Sequence, residues 1–185
     1  MTELQTKYQK AIKFAAKRHA DKNQLIPGTN LPYVVHLSNV AMEILIASQK
    51  TENFDSEFAI QVALLHDILE DTETTFEEIA NEFGIKIAQA VLALTKNSKI
   101  QKEERMDDSL NRIKEFQKEV WAVKLADRIT NLQAPPEHWS FEKITEYQKQ
   151  AVLIYNSLKN GNKYLGDRLW EKIVDYSKYC ATATE

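Results

Sequence analysis

The sequence predicts an all-α fold built as a single domain. Only 4 Gly and 4 Pro occur among the 185 residues, so the residues that form tight turns are scarce. Apolar residues recur at helical spacing along most of the chain, and no stretch shows the strict alternation of a half-buried β-strand. A chain of this length can build one sizeable core but is short for two. We therefore expect one domain over residues 1–180 and a disordered tail at 181–185.

Caps and breakers divide the chain into roughly eight to ten helices. Asp55 or Ser56 can cap a central helix, and Thr75 with Glu78 is a capping-box pattern for a short helix that Gly84 ends. The predicted helices run over about Leu4–Ala20, Tyr33–Ser48, Ser56–Asp71, Thr75–Phe83, Ile85–Thr95, Ser109–Phe116, Lys118–Leu132, Ser140–Leu158 and Tyr164–Tyr179. The longest segments between them, expected to be loops, are Asp21–Pro32 and Lys96–Asp108.

The composition argues against several classes of function. The 24 Lys and Arg residues against 27 Asp and Glu residues leave a net charge of −3, which favours no DNA, RNA or anionic membrane partner. The single Cys180 excludes an internal disulfide and a multi-cysteine metal site, which fits a cytoplasmic location. No apolar run approaches the ~18 residues that a membrane-spanning helix needs. Whether the chain forms a homo-oligomer stays open.

Charged residues interrupt the most apolar stretch of the chain. A largely apolar run over residues 58–69 contains His66-Asp67, and Glu70-Asp71 follows directly. On one continuous helix these four residues would fall within a sector of about 140°. Three carboxylates and an imidazole on a buried face are costly unless a cation or a set of partners compensates them. An ion-pair network at a helix end is the alternative, but the absence of Lys and Arg within this group favours a metal.

Two further residues interrupt apolar helices elsewhere. His36 lies near the start of the second helix, and Asp127 lies within an apolar stripe of a later one. Each alone has an ordinary explanation, because a lone His is more often a satisfied core residue and a lone Asp usually forms a local ion pair. Together with His66 and Asp67 they give a mixed donor set suited to Mn²⁺, Fe²⁺ or Zn²⁺. Such an ion activates water and polarises phosphoryl groups, so hydrolysis is the expected chemistry.

These residues resemble a known signature. His36, then His66-Asp67, then Asp127 in Lys-Leu-Ala-Asp-Arg is similar to the H…HD…D signature of the HD metal-dependent phosphohydrolases. The longer patterns around them resemble one branch, the small alarmone hydrolases of the Mesh type and the hydrolase domain of Rel/Spo-type enzymes. The resemblance spans about residues 11–158 and therefore covers most of the chain.

The resemblance implies an HD-type helical bundle, a single Mn²⁺, and removal of the 3′-pyrophosphate from guanosine tetra- or pentaphosphate. It implies roles for nine residues. The metal ligands would be His36, His66, Asp67 and Asp127, the residues acting on the attacking water would be Glu70 and Asp71, and the substrate contacts would be Lys96, Asn131 and Tyr147. An ordinary explanation stays open for Lys96, as a solvated cation at a helix end, and for Tyr147, as a core aromatic.

One segment departs from the family pattern. The family loop after the first helix carries an Arg-Lys pair that packs against the purine and the phosphates, whereas this chain has Gln24-Leu25. The change removes two cations and a guanidinium that can stack on a base. The replacement leaves the identity of the nucleotide substrate open, so a nicotinamide dinucleotide phosphate is an alternative to the guanosine nucleotide. A nucleotide-binding module without turnover is a third hypothesis, which the presence of every ligand and of the Glu-Asp pair argues against.

Overall fold

A buried helix of ten residues lies at the centre of the structure, a computed structural model that describes residues 3–181. Over those residues the chain forms ten α-helices and a 3-10 helix at Lys159–Gly161. The α-helices are α1 (Glu3–Asp21), α2 (Val34–Ser48), α3 (Ser56–Leu65), α4 (Ile68–Asp71), α5 (Phe76–Phe83), α6 (Ile85–Leu94), α7 (Arg105–Lys114), α8 (Lys118–Asn131), α9 (Phe141–Leu158) and α10 (Lys163–Cys180). In place of strands, this part of the chain has one isolated antiparallel bridge, between Leu25 and Pro32.

The central helix α3 is enclosed by other helices. Its residues from Ala59 to Leu65 are all buried, and α1, α2, α6 and α8 pack against it. The antiparallel pair α9 and α10 packs on α8. One continuous cluster of buried apolar side chains draws on all ten α-helices. The prediction of an all-α, single-domain bundle is therefore confirmed.

The helix caps lie where the sequence places them. The Asp55 carboxylate accepts a hydrogen bond from the backbone N–H of Phe58 at the start of α3. Thr75 and Glu78 form both hydrogen bonds of a capping box at the start of α5. Gly84 ends that helix with a φ of 93°, a left-handed conformation that glycine adopts without a steric penalty.

The central helix ends earlier than the sequence predicted. The helix expected to continue to Asp71 stops at Leu65, His66 and Asp67 form a turn, and the short α4 begins at Ile68. The His66 side chain bonds back to a carbonyl of the preceding turn, and local bonds of this kind compete with helix continuation. The prediction that His66, Asp67, Glu70 and Asp71 share a sector of about 140° on one continuous helix is therefore wrong.

The polar loop after α6 is shorter than predicted. We expected a loop over Lys96–Asp108 and a helix from Ser109, whereas α7 begins at Arg105. Asp107 and Asp108 lie in its first turn, where carboxylates interact favourably with the helix dipole. The charged composition that suggested a solvated loop therefore also suits the partly exposed N-terminal turn of a helix.

Apart from Ala181, the tail predicted at 181–185 lies outside the described residues. The domain boundary at residue 180 stays a prediction. Within residues 3–181, no helix combines the length and the apolar character that a membrane span requires.

A buried ion pair between α2 and α10 gives a test of the packing. The Glu43 carboxylate is 2% exposed and accepts hydrogen bonds from Arg168 at 2.8 and 2.7 Å. Arg168→Met leaves that carboxylate buried without its partner, so we expect the free energy of unfolding to fall by about 2–3 kcal/mol in urea denaturation. This lies at the low end for a broken buried pair, because Arg168 itself is partly exposed.

The matched control is Lys163→Met, which breaks an exposed ion pair with Asp167 in the same helix. Its free energy of unfolding should change by less than about 0.5 kcal/mol. Equal losses in the two variants would contradict a structural role for the buried pair.

Candidate active site

Four side chains from three parts of the chain meet where α3 ends. The Nε2 atoms of His36, on α2, and His66 lie 3.4 Å apart. Asp67 Oδ2 lies 2.8 Å from the Nε2 of His66 and 3.7 Å from the Nε2 of His36. Asp127 Oδ1, on α8, lies 3.7 and 3.6 Å from the same two nitrogen atoms. The fold thus brings together the two imidazoles and two carboxylates that the sequence singled out.

Both imidazole rings are oriented with Nε2 towards the carboxylates. Nδ1 of His66 lies 2.8 Å from the carbonyl oxygen of Ala63, and because a carbonyl oxygen only accepts, Nδ1 carries a hydrogen. Nδ1 of His36 lies 3.5 Å from the hydroxyl of Thr130, which itself donates to the carbonyl of Asp127 at 2.9 Å. Imidazoles that bind metals are commonly held in this way through the second ring nitrogen.

The electrostatics show which groups compensate the carboxylates of this cluster when no cation is bound. Burial and the neighbouring His66 lower the pKa of His36. Burial also acts to lower the pKa of His66, but Asp67 and Asp127 outweigh it and raise that pKa to about 10. Against its own burial, the Asp127 carboxyl has a pKa held well below its usual range by Lys124 and the two imidazoles. One proton on His66 therefore lies between two carboxylates, and the Asp127 carboxylate also pairs with the ammonium group of Lys124.

The donor set fits a divalent cation. His36, His66 and Asp67 each offer one ligand atom, and these three atoms all lie within 4.8 Å of one another. Asp127 adds a second carboxylate oxygen within 3.7 Å of both rings. Two nitrogen and two oxygen donors suit Mn²⁺, Fe²⁺ or Zn²⁺, and a doubly charged ion would neutralise both carboxylates. These four residues could hold the ion, and their roles as ligands stay predictions.

Two side chains that the sequence did not single out hold the carboxylates in place. The Tyr33 hydroxyl donates a short hydrogen bond to Asp67, and the Tyr33 ring lies 5.1 Å from the ring of His36. Burial and the charge of Asp67 raise the pKa of Tyr33 far above its usual value, which keeps the hydroxyl a donor. Lys124 donates to Asp127 at 2.9 Å. Its spacing of three residues from Asp127 could have been recognised in the sequence, whereas nothing there distinguishes Tyr33.

Glu70 and Asp71 lie about one helical turn beyond the cluster, and each has a different partner. Lys96 donates to Glu70 from its side chain at 2.8 Å and from its backbone N–H at 3.1 Å. Gln24 donates to Asp71 at 2.8 Å, and burial raises the pKa of Asp71. The alternative of an ion-pair network therefore explains Glu70 and, through Lys124, one oxygen of Asp127, but it does not explain why two imidazoles face the same two carboxylates.

A cavity of about 680 Å³ opens beside His36, between the loops that follow α1 and α8. Its walls include the aromatic side chains of Trp139, Tyr147 and Tyr176. None of the described residues that line it is Lys or Arg. The cavity is thus suited to a flat, largely uncharged group, and His36, one of the four candidate metal ligands, forms part of its wall.

The three predicted substrate residues lie in different surroundings. Tyr147 lines the cavity, and the guanidinium of Arg128 lies 4.3 Å from its ring centre. Asn131 also lines the cavity, but its amide donates to Asp127 Oδ1 at 2.5 Å. Lys96 is not among the described residues of the lining and pairs with Glu70 instead. Their roles towards a substrate stay predictions.

Comparison with known proteins places the chain in a family. A family model described as an HD domain matches residues 11–163. A Danio rerio protein, guanosine-3′,5′-bis(diphosphate) 3′-pyrophosphohydrolase MESH1, is 34% identical over 169 residues, which cover 89% of this chain and 91% of that protein. The chain belongs to the MESH1-type HD-domain hydrolases.

Other MESH1-type proteins match over a similar extent. The Homo sapiens MESH1 protein is 31% identical over 164 residues, covering 86% of this chain and 88% of that protein. A solved structure described as a metazoan SpoT orthologue that hydrolyses ppGpp and plays a role in starvation responses has a TM-score of 0.78 and 26% identity, covering 91% of this chain and 94% of that one. The predicted family and the prediction of a metal-dependent phosphohydrolase are confirmed.

The protonation of His66 leads to a prediction about metal binding. Without a cation, His66 is protonated below its pKa of about 10, so an ion that takes this position must displace the proton. We expect Mn²⁺ binding to chelator-treated protein at about pH 8 to release about one proton and to weaken as the pH falls. Isothermal titration calorimetry in two buffers that differ in ionisation enthalpy measures the release. Identical heats in the two buffers would contradict the prediction.

Proposed function

We propose that this MESH1-type hydrolase removes the 3′-pyrophosphate of guanosine 3′,5′-bis(diphosphate), ppGpp, in a Mn²⁺-dependent reaction that gives GDP and pyrophosphate. The observation that carries the proposal is that one donor set, with both imidazoles buried, lies within about one helical turn of Glu70 and Asp71. The MESH1 relatives carry this activity in their names. The proposed metal ligands are His36, His66, Asp67 and Asp127.

The proposed cellular setting follows from the composition. A single Cys180 and a net charge of −3 support a cytoplasmic enzyme that acts on a small nucleotide and not on DNA or RNA.

The contacts of the candidate ligands support the proposed metal chemistry. A divalent ion, when bound, would lower the pKa of a bound water and polarise a phosphoryl oxygen. Tyr33 and Lys124 each hold one of the two carboxylates, so the carboxylate oxygens need little reorganisation to serve as ligands. The charge of Lys124 also offsets part of the cost of burying Asp127 next to Asp67.

Asp71 is the proposed acceptor for the proton of the attacking water. Both carboxylate oxygens of Glu70 accept from Lys96, whereas Gln24 bonds only to Oδ2 of Asp71. Within residues 3–181, no donor is bonded to the Oδ1 atom of Asp71, so that oxygen is available to a water. Burial raises the pKa of Asp71, which makes its carboxylate a stronger base than an exposed one.

Substrate contacts are proposed for Lys96, Asn131 and Tyr147. Tyr147 and Asn131 line the cavity beside His36, where a nucleoside could lie against the Tyr147 ring. The Lys96 side chain is 49% exposed while it is paired with Glu70, so its ammonium group can also face a phosphate. Glu70 is thus proposed to act together with Lys96 at the phosphate side of the site.

The test measures product release from ppGpp by purified protein with added Mn²⁺, using ion-exchange chromatography together with metal analysis. Asp67→Ala should abolish both hydrolysis and metal occupancy. Asp71→Ala should keep the metal and lower kcat by about 10²-fold, the usual contribution of a general base. As a control, Asp107→Asn changes an exposed carboxylate on α7 and should leave kcat unchanged. Full activity in Asp71→Ala would show that Asp71 is not the proton acceptor.

A second candidate keeps the site and changes the nucleotide. The described cavity lining contains no Lys or Arg, and Gln24-Leu25 stands where the family pattern has two cations. A reduced nicotinamide dinucleotide phosphate, NADPH, would offer an uncharged dihydronicotinamide ring and ribose groups to such a cavity. In the same assay, orthophosphate from the dinucleotide without any product from ppGpp would favour this candidate. GDP and pyrophosphate from ppGpp would favour the first.

A further inference from the structure

Gln24, at the position where the family pattern has Arg, is fixed next to Asp71. Its side-chain amide donates to Asp71 Oδ2 at 2.8 Å, and it is not among the described residues that line the cavity. Its backbone N–H bonds to the carbonyl of His19 at 3.1 Å, and its own carbonyl accepts from Tyr33 at 3.1 Å. The side chain of Gln24 therefore extends from a backbone whose N–H and C=O groups are both hydrogen-bonded.

A buried imidazole determines how the Gln24 amide is oriented. His19, near the end of α1, is 1% exposed, and its Nδ1 lies 2.6 Å from Oε1 of Gln24. Because an amide oxygen only accepts, the His19 nitrogen donates and the Gln24 NH₂ group is left to face Asp71. The His19 ring also lies 4.8 Å from the ring of Tyr33, whose hydroxyl is bonded to Asp67.

We propose that Gln24, with its amide oriented by His19, is a positioning residue that holds Asp71 in place to accept the proton of the attacking water. The inference rests on the role proposed above for Asp71. The geometry requires one group that accepts from an imidazole N–H and donates to a carboxylate. An amide does both, whereas the arginine of the family pattern has no acceptor. The exchange therefore replaces a cation with a neutral link between α1 and Asp71.

The first part of the test uses two variants of similar size. Gln24→Met removes both hydrogen bonds, and we expect kcat to fall by about 10-fold while KM changes by less than about 2-fold, because Asp71 is misplaced and the cavity is not. Gln24→Glu can still accept from His19 but places a second carboxylate next to Asp71. Its kcat should fall below that of Gln24→Met.

A neighbouring residue supplies the control. Asn23 has a φ of 51°, so Asn23→Gly removes a side-chain amide from the same loop while keeping a backbone conformation that glycine tolerates. Its kcat should equal that of the unmodified protein. A loss in this control equal to that in Gln24→Met would assign the effect to the loop as a whole and overturn the proposal.

The second part asks whether Gln24 acts through Asp71. In an Asp71→Ala background, Gln24→Met should cause no further loss of kcat, because the group that it positions is absent. Fully additive losses would overturn the proposal. An increase in KM with an unchanged kcat would also overturn it, since that pattern belongs to a residue that binds substrate.

A readout without substrate separates this inference from the proposed function. In metal-free protein, carboxyl ¹³C NMR should show a higher pKa for Asp71 in Gln24→Met, because the variant loses the donor that stabilises the carboxylate. The other charged or titratable groups that act on Asp71, namely Asp67, Glu70 and His19, stay in place. An unchanged pKa of Asp71 in Gln24→Met would overturn the proposed action of Gln24 on Asp71. Failure of the unmodified protein to hydrolyse ppGpp would instead overturn the proposed function alone.

Discussion

The close packing of two carboxylates against two imidazoles at the end of α3 is the constraint on which the rest of the site depends. His36, His66 and Asp127 are all less than a tenth exposed, and the Asp67 side chain is 22% exposed. Such a group is costly unless positive charge compensates it. Without a cation, a proton on His66 and the ammonium group of Lys124 supply that charge. A divalent cation that displaces the His66 proton would bind where the two imidazoles and both carboxylates already face one another.

The helices around the histidine and aspartate cluster carry its side chains and fix their positions. The end of α3 at Leu65 turns His66 and Asp67 towards α2 and α8, which supply the other two members of the cluster. A second layer of contacts fixes each polar group. Ala63 and Thr130 contact the imidazoles, Tyr33 and Lys124 contact the carboxylates, Lys96 contacts Glu70, and Gln24 contacts Asp71. The residues of the MESH1-type pattern thus lie in a framework that fixes their orientation.

Much of the fold and of the cluster could be predicted from the sequence, because apolar periodicity and capping are local signals. The end of α3 could not, since it depends on a bond from the His66 side chain to the backbone that helical spacing does not reveal. The start of α7 was missed because charged residues suit a loop and an exposed helical turn equally. The contacts of Tyr33 and Gln24 connect residues that are distant in the chain, so only the folded structure shows them.

The proposed ligand set for one divalent ion consists of His36, His66, Asp67 and Asp127. Crystals grown with Mn²⁺ and measured at the manganese absorption edge test it most directly. We expect a single anomalous peak in contact with the Nε2 atoms of both histidines and with one oxygen of each aspartate. A peak bound elsewhere, or a fully ordered site without a peak at saturating Mn²⁺, would contradict it.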